Sequence, residues 1–367
     1  MGVWSAALAA IFGLASQAAA FDWTVVPFEG RDYVPLQDVA RFYNLTQADY
    51  TENRLALRNQ VLRMQGSVNS RELYLNGLKF ILSFPIISVE NRPLISRVDL
   101  SKLVEPVLRP ARIQTAAART IVLDAGHGGY DQGAYSIHGS EKDFTLDVVL
   151  RTRDLLQGAG YTVRLTRSAD VFIPLELRAA FASHQSNALF ISVHFNAGMR
   201  EDAEGVETYC VAPCGVPSTN DADLSLADFR PCLGNVRDAE NIALATAVHA
   251  ALVTRLGIGD RGLKRARFVV LRDLAIPGIL VEGGFLTNTA DEARIADPAF
   301  RQNIAQAIFQ GIQAYNRAVE RGVRAGGTIA KGTTTTTPPS AAASTPGSSP
   351  WTPLSTDVYA LPEETRK

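Results

Sequence analysis

An excess of one charge is missing from this sequence: 36 Lys and Arg almost balance 37 Asp and Glu, for a formal net charge of −1. Without a basic excess there is no global attraction to nucleic acid or to an anionic surface, and no DNA-binding motif is present. Nucleic acid is therefore excluded as a partner. Long apolar runs are missing after residue 20, so no membrane span is expected in the mature chain. Cysteine is scarce, with Cys210, Cys214 and Cys232 confined to one short stretch. In an exported chain one pair is expected to bridge, leaving one over, and the pairing is not set by the sequence. Cys210 and Cys214 have the spacing of metal ligands but no fourth ligand nearby. Residues 21–106 contain neither His nor Cys.

A chain of 367 residues with ordinary apolar content suggests two or three domains. Residues 3–20, "VWSAALAAIFGLASQAAA", are uncharged and end in three alanines before the polar "FDW". This reads as a signal peptide, residues 1–20, despite the lack of Lys or Arg ahead of it, and points to a periplasmic or secreted protein. An uncleaved anchor is the weaker alternative. Residues 21–106 contain "YVPLQDVARFYNL" and "RPLISRVDLSKLVEPVL", each passing from an extended Pro-Leu segment into a helical pattern, with strand-like runs between. They are expected to form a small α+β accessory domain with a weak internal duplication. This region resembles the copper-amine-oxidase N-terminal-like domain of envelope enzymes, without implying copper. Residues 107–118 read as a linker. Residues 119–320 alternate β-branched runs ("TIVLDA", "YTVRLTR", "ALFISVHF", "GVETYCV", "RFVVLR", "GILVEGGF") with helical segments, which predicts an α/β fold. The expected sheet is mostly parallel and twisted, with helices on both faces. Residues 321–367 include "GTTTTTPPSAAASTPGSSP" and read as a low-complexity disordered tail.

The candidate chemistry collects at strand ends. His127 follows the first strand in "LDAGHGG", and His194 lies at the end of the third in "LFISVHFNAG". In an open α/β sheet ligands gather at the carboxyl edge, so both histidines face one crevice. Glu141 opens the next helix, with Ser140 as its N-cap, and returns to that edge. Two His and one Glu form a catalytic zinc set when a fourth position is left to water. Glu282 ends "GILVE" before Gly283-Gly284, which leave room for a substrate backbone, and is the expected proton carrier. A lone Gly-flanked His is more often a loop residue, and Glu141 alone is a first-turn acid. The shared sheet edge is what raises all four. His138 is the rival ligand, while His184 and His249 read as surface or packing residues.

"LDAGHGGYDQGA", "SEKDFTLDVV", "YTVRLTRSAD", "LELRAAFASHQSNALFISVHFNAG", "GVETY" and "DRGLKRARFVVLRDLAIPGILVEGGFLTN" occur in order across residues 120–317. This run resembles the zinc-dependent N-acetylmuramoyl-L-alanine amidases (the amidase-3 family). The resemblance implies hydrolysis of the amide between N-acetylmuramic acid and the L-alanine of the stem peptide, in wall remodelling or daughter-cell separation. It implies Zn²⁺ as cofactor, peptidoglycan as substrate and a protein activator as a further partner. It makes His127, Glu141 and His194 the zinc ligands and Glu282 the catalytic acid/base. Asn196 takes a supporting role, and Arg167 and Arg178 read as structural. Asp124 is left between orienting a ligand imidazole and capping the turn. The chain departs from the family at Gly283, where many relatives carry a larger residue. It departs again at Ala212–Asn235, expected as a rim loop closed by a disulfide rather than as a blocking helix. Two other functions are weighed: a zinc peptidase acting on wall stem peptides, and a non-catalytic wall-binding or activator protein.

Overall fold

The computed structural model describes residues 21–326, apart from 52, 199, 201 and 222, with side chains described as far as residue 321. The expected signal peptide and residues 327–367 of the expected tail lie outside the described residues. In the leading region, β1 (Val26–Phe28) and β2 (Arg31–Pro35) precede helix α1 (Leu36–Phe42). A meander follows: β3 (Gln47–Thr51), β4 (Arg54–Arg58), β5 (Arg63–Ser67), β6 (Glu72–Leu75) and β7 (Leu78–Ile81). Then β8 (Ile87–Val89) and β9 (Arg92–Ser96) lead into α2 (Arg97–Asp99), a π-helical turn (Leu100–Val104) and α3 (Glu105–Leu108). The main region begins with β10 (Thr120–Ala125), the short pair β11 (Tyr135–Ser136) and β12 (Gly139–Ser140), α4 (Glu141–Gly158) and β13 (Thr162–Leu165). Next come α5 (Leu175–Ser183), β14 (Ala188–Asn196), β15 (Val206–Val211) and α6 (Asp238–Leu256). It closes with β16 (Asp260–Ala266), α7 (Val269–Arg272), β17 (Gly278–Phe285), α8 (Thr289–Ala296) and α9 (Pro298–Gly326).

The main sheet has the order β13-β10-β14-β17-β15-β16 and continues through β7-β6-β5-β4-β3 to eleven strands. Among the strands β10 and β13–β17 of this sheet every pairing is parallel except β15 with β17. The α/β class with helices on both faces is what forms, and the antiparallel meander makes the whole sheet mixed. Alternation along the buried strands sets the two layers. Ile121, Leu123, Ile191, Val193, Ile279 and Val281 join the core under α4, α6 and α9. Val122, Phe190 and Leu280 face the other way, against α7 residues Val270 and Leu271.

The leading region is joined to the main one edge to edge, through Leu263 opposite Phe80. Leu57, Met64, Leu73 and Phe80 share one core with Leu263 and Val206. The two Pro-Leu segments each form a strand followed by helix, and β2 pairs antiparallel with β9 about Val34 and Ile95. Asn76 and Gly77, both at positive φ, make the two-residue turn between β6 and β7.

One expectation is corrected here. "RFVVLR" is not a strand: Val269–Arg272 is helical, and the strand is the preceding "DRGLKRA". Its charges disguise it, because Arg261 and Lys264 turn to a buried carboxylate on the neighbouring strand. Residues 107–118, between the two regions, are packed: Ile113 and Ala118 are buried, and the Ala118 backbone exchanges two hydrogen bonds with the Asn316 amide. The closing helix continues to Gly326, past the tail boundary expected after residue 320.

Candidate metal centre

β10, β14 and β17 run parallel, so their carboxyl ends share one edge. The backbone leaves β10 at Gly126, where a Cβ would fall on the His194 ring. His127 then adopts φ +60, a left-handed conformation uncommon outside glycine. Its carbonyl accepts from Arg178 Nη2 (2.6 Å), which fixes the turn. A Cβ at Gly133 would lie 2.6 Å from His127 Cδ2, so glycine there also keeps the space clear.

Three donors converge. Glu141 Oε1 lies 3.1 Å from His127 Nε2 and 2.9 Å from His194 Nδ1. The candidate ligand atoms all lie within 4.8 Å of one another. Glu141 is the first residue of α4 and is buried. Its Oε1 also accepts from the Phe195 N–H (3.1 Å), and its Oε2 from the Ala134 N–H (2.8 Å). Burial alone would raise its pKa, but hydrogen bonds and charge from His127 and His194 outweigh that and hold it well below the usual carboxylate range. For His127, burial opposes the charge, yet Glu141 and Asp131 outweigh it and raise the imidazole pKa. Ser140 occupies the N-cap position without capping: its hydroxyl donates to Asp143 Oδ2 (2.6 Å).

Glu282 stands directly opposite His194 in the register of β14 and β17. It does not end its strand, which runs on to Phe285. The glycines after it do not make room for substrate either. A Cβ on Gly283 would sit 2.8 Å from Phe195 Cε1, so this glycine permits close packing in the core. Glu282 Oε2 is buried with no hydrogen-bond partner among the described residues. Burial, followed by the like charges of Glu141 and Glu207, pushes its pKa well above the usual carboxylate range, with Lys264 opposing.

Glu207, on β15, was not singled out in the sequence, although a Glu inside the apolar run "GVETYCV" was the available signal. It is buried and lies opposite Glu282. It accepts from Arg261 Nε (2.6 Å), Lys264 Nζ (2.6 Å), Tyr209 OH (2.7 Å) and Asn196 Nδ2 (3.2 Å). Asn196 thus reaches the site through Glu207.

The remaining candidates fall elsewhere. Asp124 touches no imidazole. It pairs with Arg178 Nη1 (2.9 Å) and accepts from Thr166 Oγ1 (2.5 Å) and Ser192 Oγ (2.7 Å). Arg167 makes no ion pair among the described residues. It ties the carbonyls of Ala125, Gly126, Lys142 and Ala169. His138 pairs with Glu292, 3.2 Å away, and does not join the three donors. His184 bonds the Ala180 carbonyl (2.6 Å), and buried His249 lies between Thr208 and Asp260. Because β15 runs antiparallel to β17, the Ala212–Asn235 stretch leaves Val211 at the opposite edge of the sheet, and it returns as far as Asn220, whose amide donates to Tyr209 OH (3.4 Å). It folds into two 3₁₀ turns, Leu226–Phe229 and Leu233–Arg237, and all three cysteines are unbridged.

An α/β sheet that gathers two imidazoles and a carboxylate beside a second carboxyl whose proton affinity is raised defines a candidate metallohydrolase. Comparison with known proteins narrows the class. Residues 121–314, more than half of the chain, match the family model described as N-acetylmuramoyl-L-alanine amidase, and the chain belongs to that family. It is 30% identical over 243 residues to the N-acetylmuramoyl-L-alanine amidase AmiA of Escherichia coli K12, covering 60% of this chain and 84% of that relative. It is 32% identical over 241 residues to the AmiC amidase of Neisseria meningitidis, covering 59% of this chain and 57% of that longer protein. Among solved structures, the catalytic domain of the amidase CwlV from Bacillus (Paenibacillus) polymyxa is 30% identical. That match covers 55% of this chain and 99% of that one, with a TM-score of 0.46. No helix among the described residues is long and apolar enough to cross a membrane.

Proposed function

We propose that this protein is a zinc-dependent peptidoglycan amidase that hydrolyses the amide between N-acetylmuramic acid and the L-alanine of the stem peptide. The observation that carries this reading is the meeting of His127, Glu141 and His194 within 4.8 Å, with Glu282 in register beside His194. Two imidazole nitrogens and one ionised carboxylate suit a borderline divalent cation, and Gly126 and Gly133 leave the space around them open. The cation, when bound, supplies Lewis-acid polarisation of the scissile carbonyl and a lower pKa for the attacking water. His127, Glu141 and His194 would hold it. Glu282 takes the proton from the water and returns it to the departing amine, a task that suits a carboxyl whose proton affinity is raised by burial. Glu207, opposite Glu282, holds Lys264, whose charge opposes the rise in that carboxyl's pKa. The uncharged segment at residues 3–20 supports placement in the bacterial envelope, periplasmic or secreted. Its partners in this reading are peptidoglycan and a protein activator.

Incubation with purified peptidoglycan, with and without a chelator, tests the proposal through product mass. Intact stem peptides with a free L-alanine amine are expected, and chelation should stop their release until Zn²⁺ is restored. Fragments cut within the stem peptide would point to a peptidase instead. Glu282→Gln should lose roughly 10²–10⁴-fold in turnover while still binding one metal per chain. Unchanged turnover in that variant would sink the mechanism.

A further inference from the structure

One row of side chains crosses nine strands of the main sheet. His194 lies opposite Glu282, and Glu282 opposite Glu207. Glu207 falls at a register shift, between the pairs Val206–Asp260 and Thr208–Leu263, and so faces Arg261 and Gly262. Leu263 pairs with Phe80, which brings Gly262 alongside Lys79. From Lys79 the row passes through Tyr74, Gln65 and Ala56 to Asp49.

These residues share a face. Leu263, Phe80, Leu73, Met64, Leu57 and Leu55 all point into the large core. Their chain neighbours therefore point the opposite way, to the face that carries His194 and Glu282. Strands about 4.8 Å apart put Tyr74 roughly 19 Å from Glu282, four strands along, on a surface that winds with the sheet's twist. There the face holds a groove of about 570 Å³, lined by Asp49, Arg54, Arg63, Gln65, Ser70 and Tyr74 among others.

The chemistry of that groove is polar and close to neutral. Lys79 is paired with Glu72 (2.5 Å), and the Tyr74 hydroxyl donates to the same carboxylate (3.0 Å). Asp49 stands among Arg54 and Arg63, so neither a strongly anionic nor a strongly cationic polymer is favoured. Amide, hydroxyl and guanidinium groups around a tyrosine ring suit a neutral strand of hydroxylated, N-acylated sugars.

We propose that this row is a glycan track: the polysaccharide strand of the wall lies across the sheet, seated at Tyr74 and Gln65, while its peptide-bearing sugar reaches Glu282. This rests on the reading of the site as a wall amidase. The test uses the full-length, zinc-loaded protein and soluble N-acetylglucosamine oligomers, which present uncharged N-acylated sugars without peptide. Wild type should bind them, and Tyr74→Ala and Ala56→Trp should each weaken binding about tenfold. Both variants should raise KM on polymeric peptidoglycan by a similar factor and leave cleavage of a single soluble muramyl peptide unchanged. Wild-type binding and KM in both variants would overturn the track. So would equal losses on the small substrate, or binding of free stem peptides alone. Glycan binding is scored without turnover, so a protein that bound glycan yet cleaved no amide would refute the catalytic reading and leave the track standing.

Discussion

Arg178 is 1% exposed, and each of its three guanidinium nitrogens donates a hydrogen bond. Nε donates to Ile173 O (2.8 Å), Nη1 to Asp124 Oδ1 and Ala125 O, and Nη2 to His127 O. The last bond matters most for the site, because His127 sits at φ +60 and its carbonyl direction fixes where the imidazole goes. Asp124 is equally buried, so removing its partner strands a carboxylate away from water. Arg178→Ala should therefore cost about 3–5 kcal/mol, or roughly 10 °C in melting temperature for a domain of this size. It should also weaken zinc binding, since His127 loses its anchor. Thermal unfolding and a metal titration check both, and a melting temperature close to wild type would show that the turn holds without the arginine.

At the scale of elements, the turn after β10 is defined by what its glycines leave out. Gly126 is not among the positive-φ glycines, so the obstacle to alanine there is the His194 ring. Gly126→Ala should displace that ring and weaken zinc binding at least tenfold, with a smaller loss of stability; calorimetric metal titration against thermal unfolding separates the two. Elements of this kind were legible in the sequence. β10, β14, α4 and α6 announce themselves by buried runs or helical spacing, and His127, Glu141 and His194 each sit at an element's end. What was not legible depends on partners far along the chain. Nothing local says that β15 runs antiparallel to β17, so the edge from which Ala212–Asn235 departs is not legible. β16 was hidden because its charges are satisfied by Glu207, 54 and 57 positions away. Gly283 reads as open space until Phe195 is packed against it. The pairing of β16 with β7 is a tertiary choice that no strand pattern encodes.

For the whole molecule the question is whether the leading and main regions hold together as one body. Their shared core says they do: Phe80, Met64 and Leu57 pack in the same cluster as Leu263 and Val206. Asp260 locks the junction. Its Oδ2 accepts from the Lys79 N–H (2.9 Å), across the seam, while its Oδ1 meets His249 Nε2 (2.9 Å) and the Gly262 N–H (2.8 Å). Burial would raise the Asp260 pKa, but His249 and the two backbone donors outweigh it and hold it low. A depressed carboxylate contributes stability above its unfolded pKa of about 3.9, and that contribution fades as pH falls through the lower folded value. Calorimetry near pH 7 should therefore show one transition for residues 21–320, and Asp260→Asn should lower its midpoint. The same variant should lose stability less steeply than wild type below about pH 4, because the titrating group is gone. Two resolved transitions in the wild type would show that the sheet is continuous in geometry but not in cooperativity, and an unchanged acid limb in Asp260→Asn would remove this carboxylate from the junction.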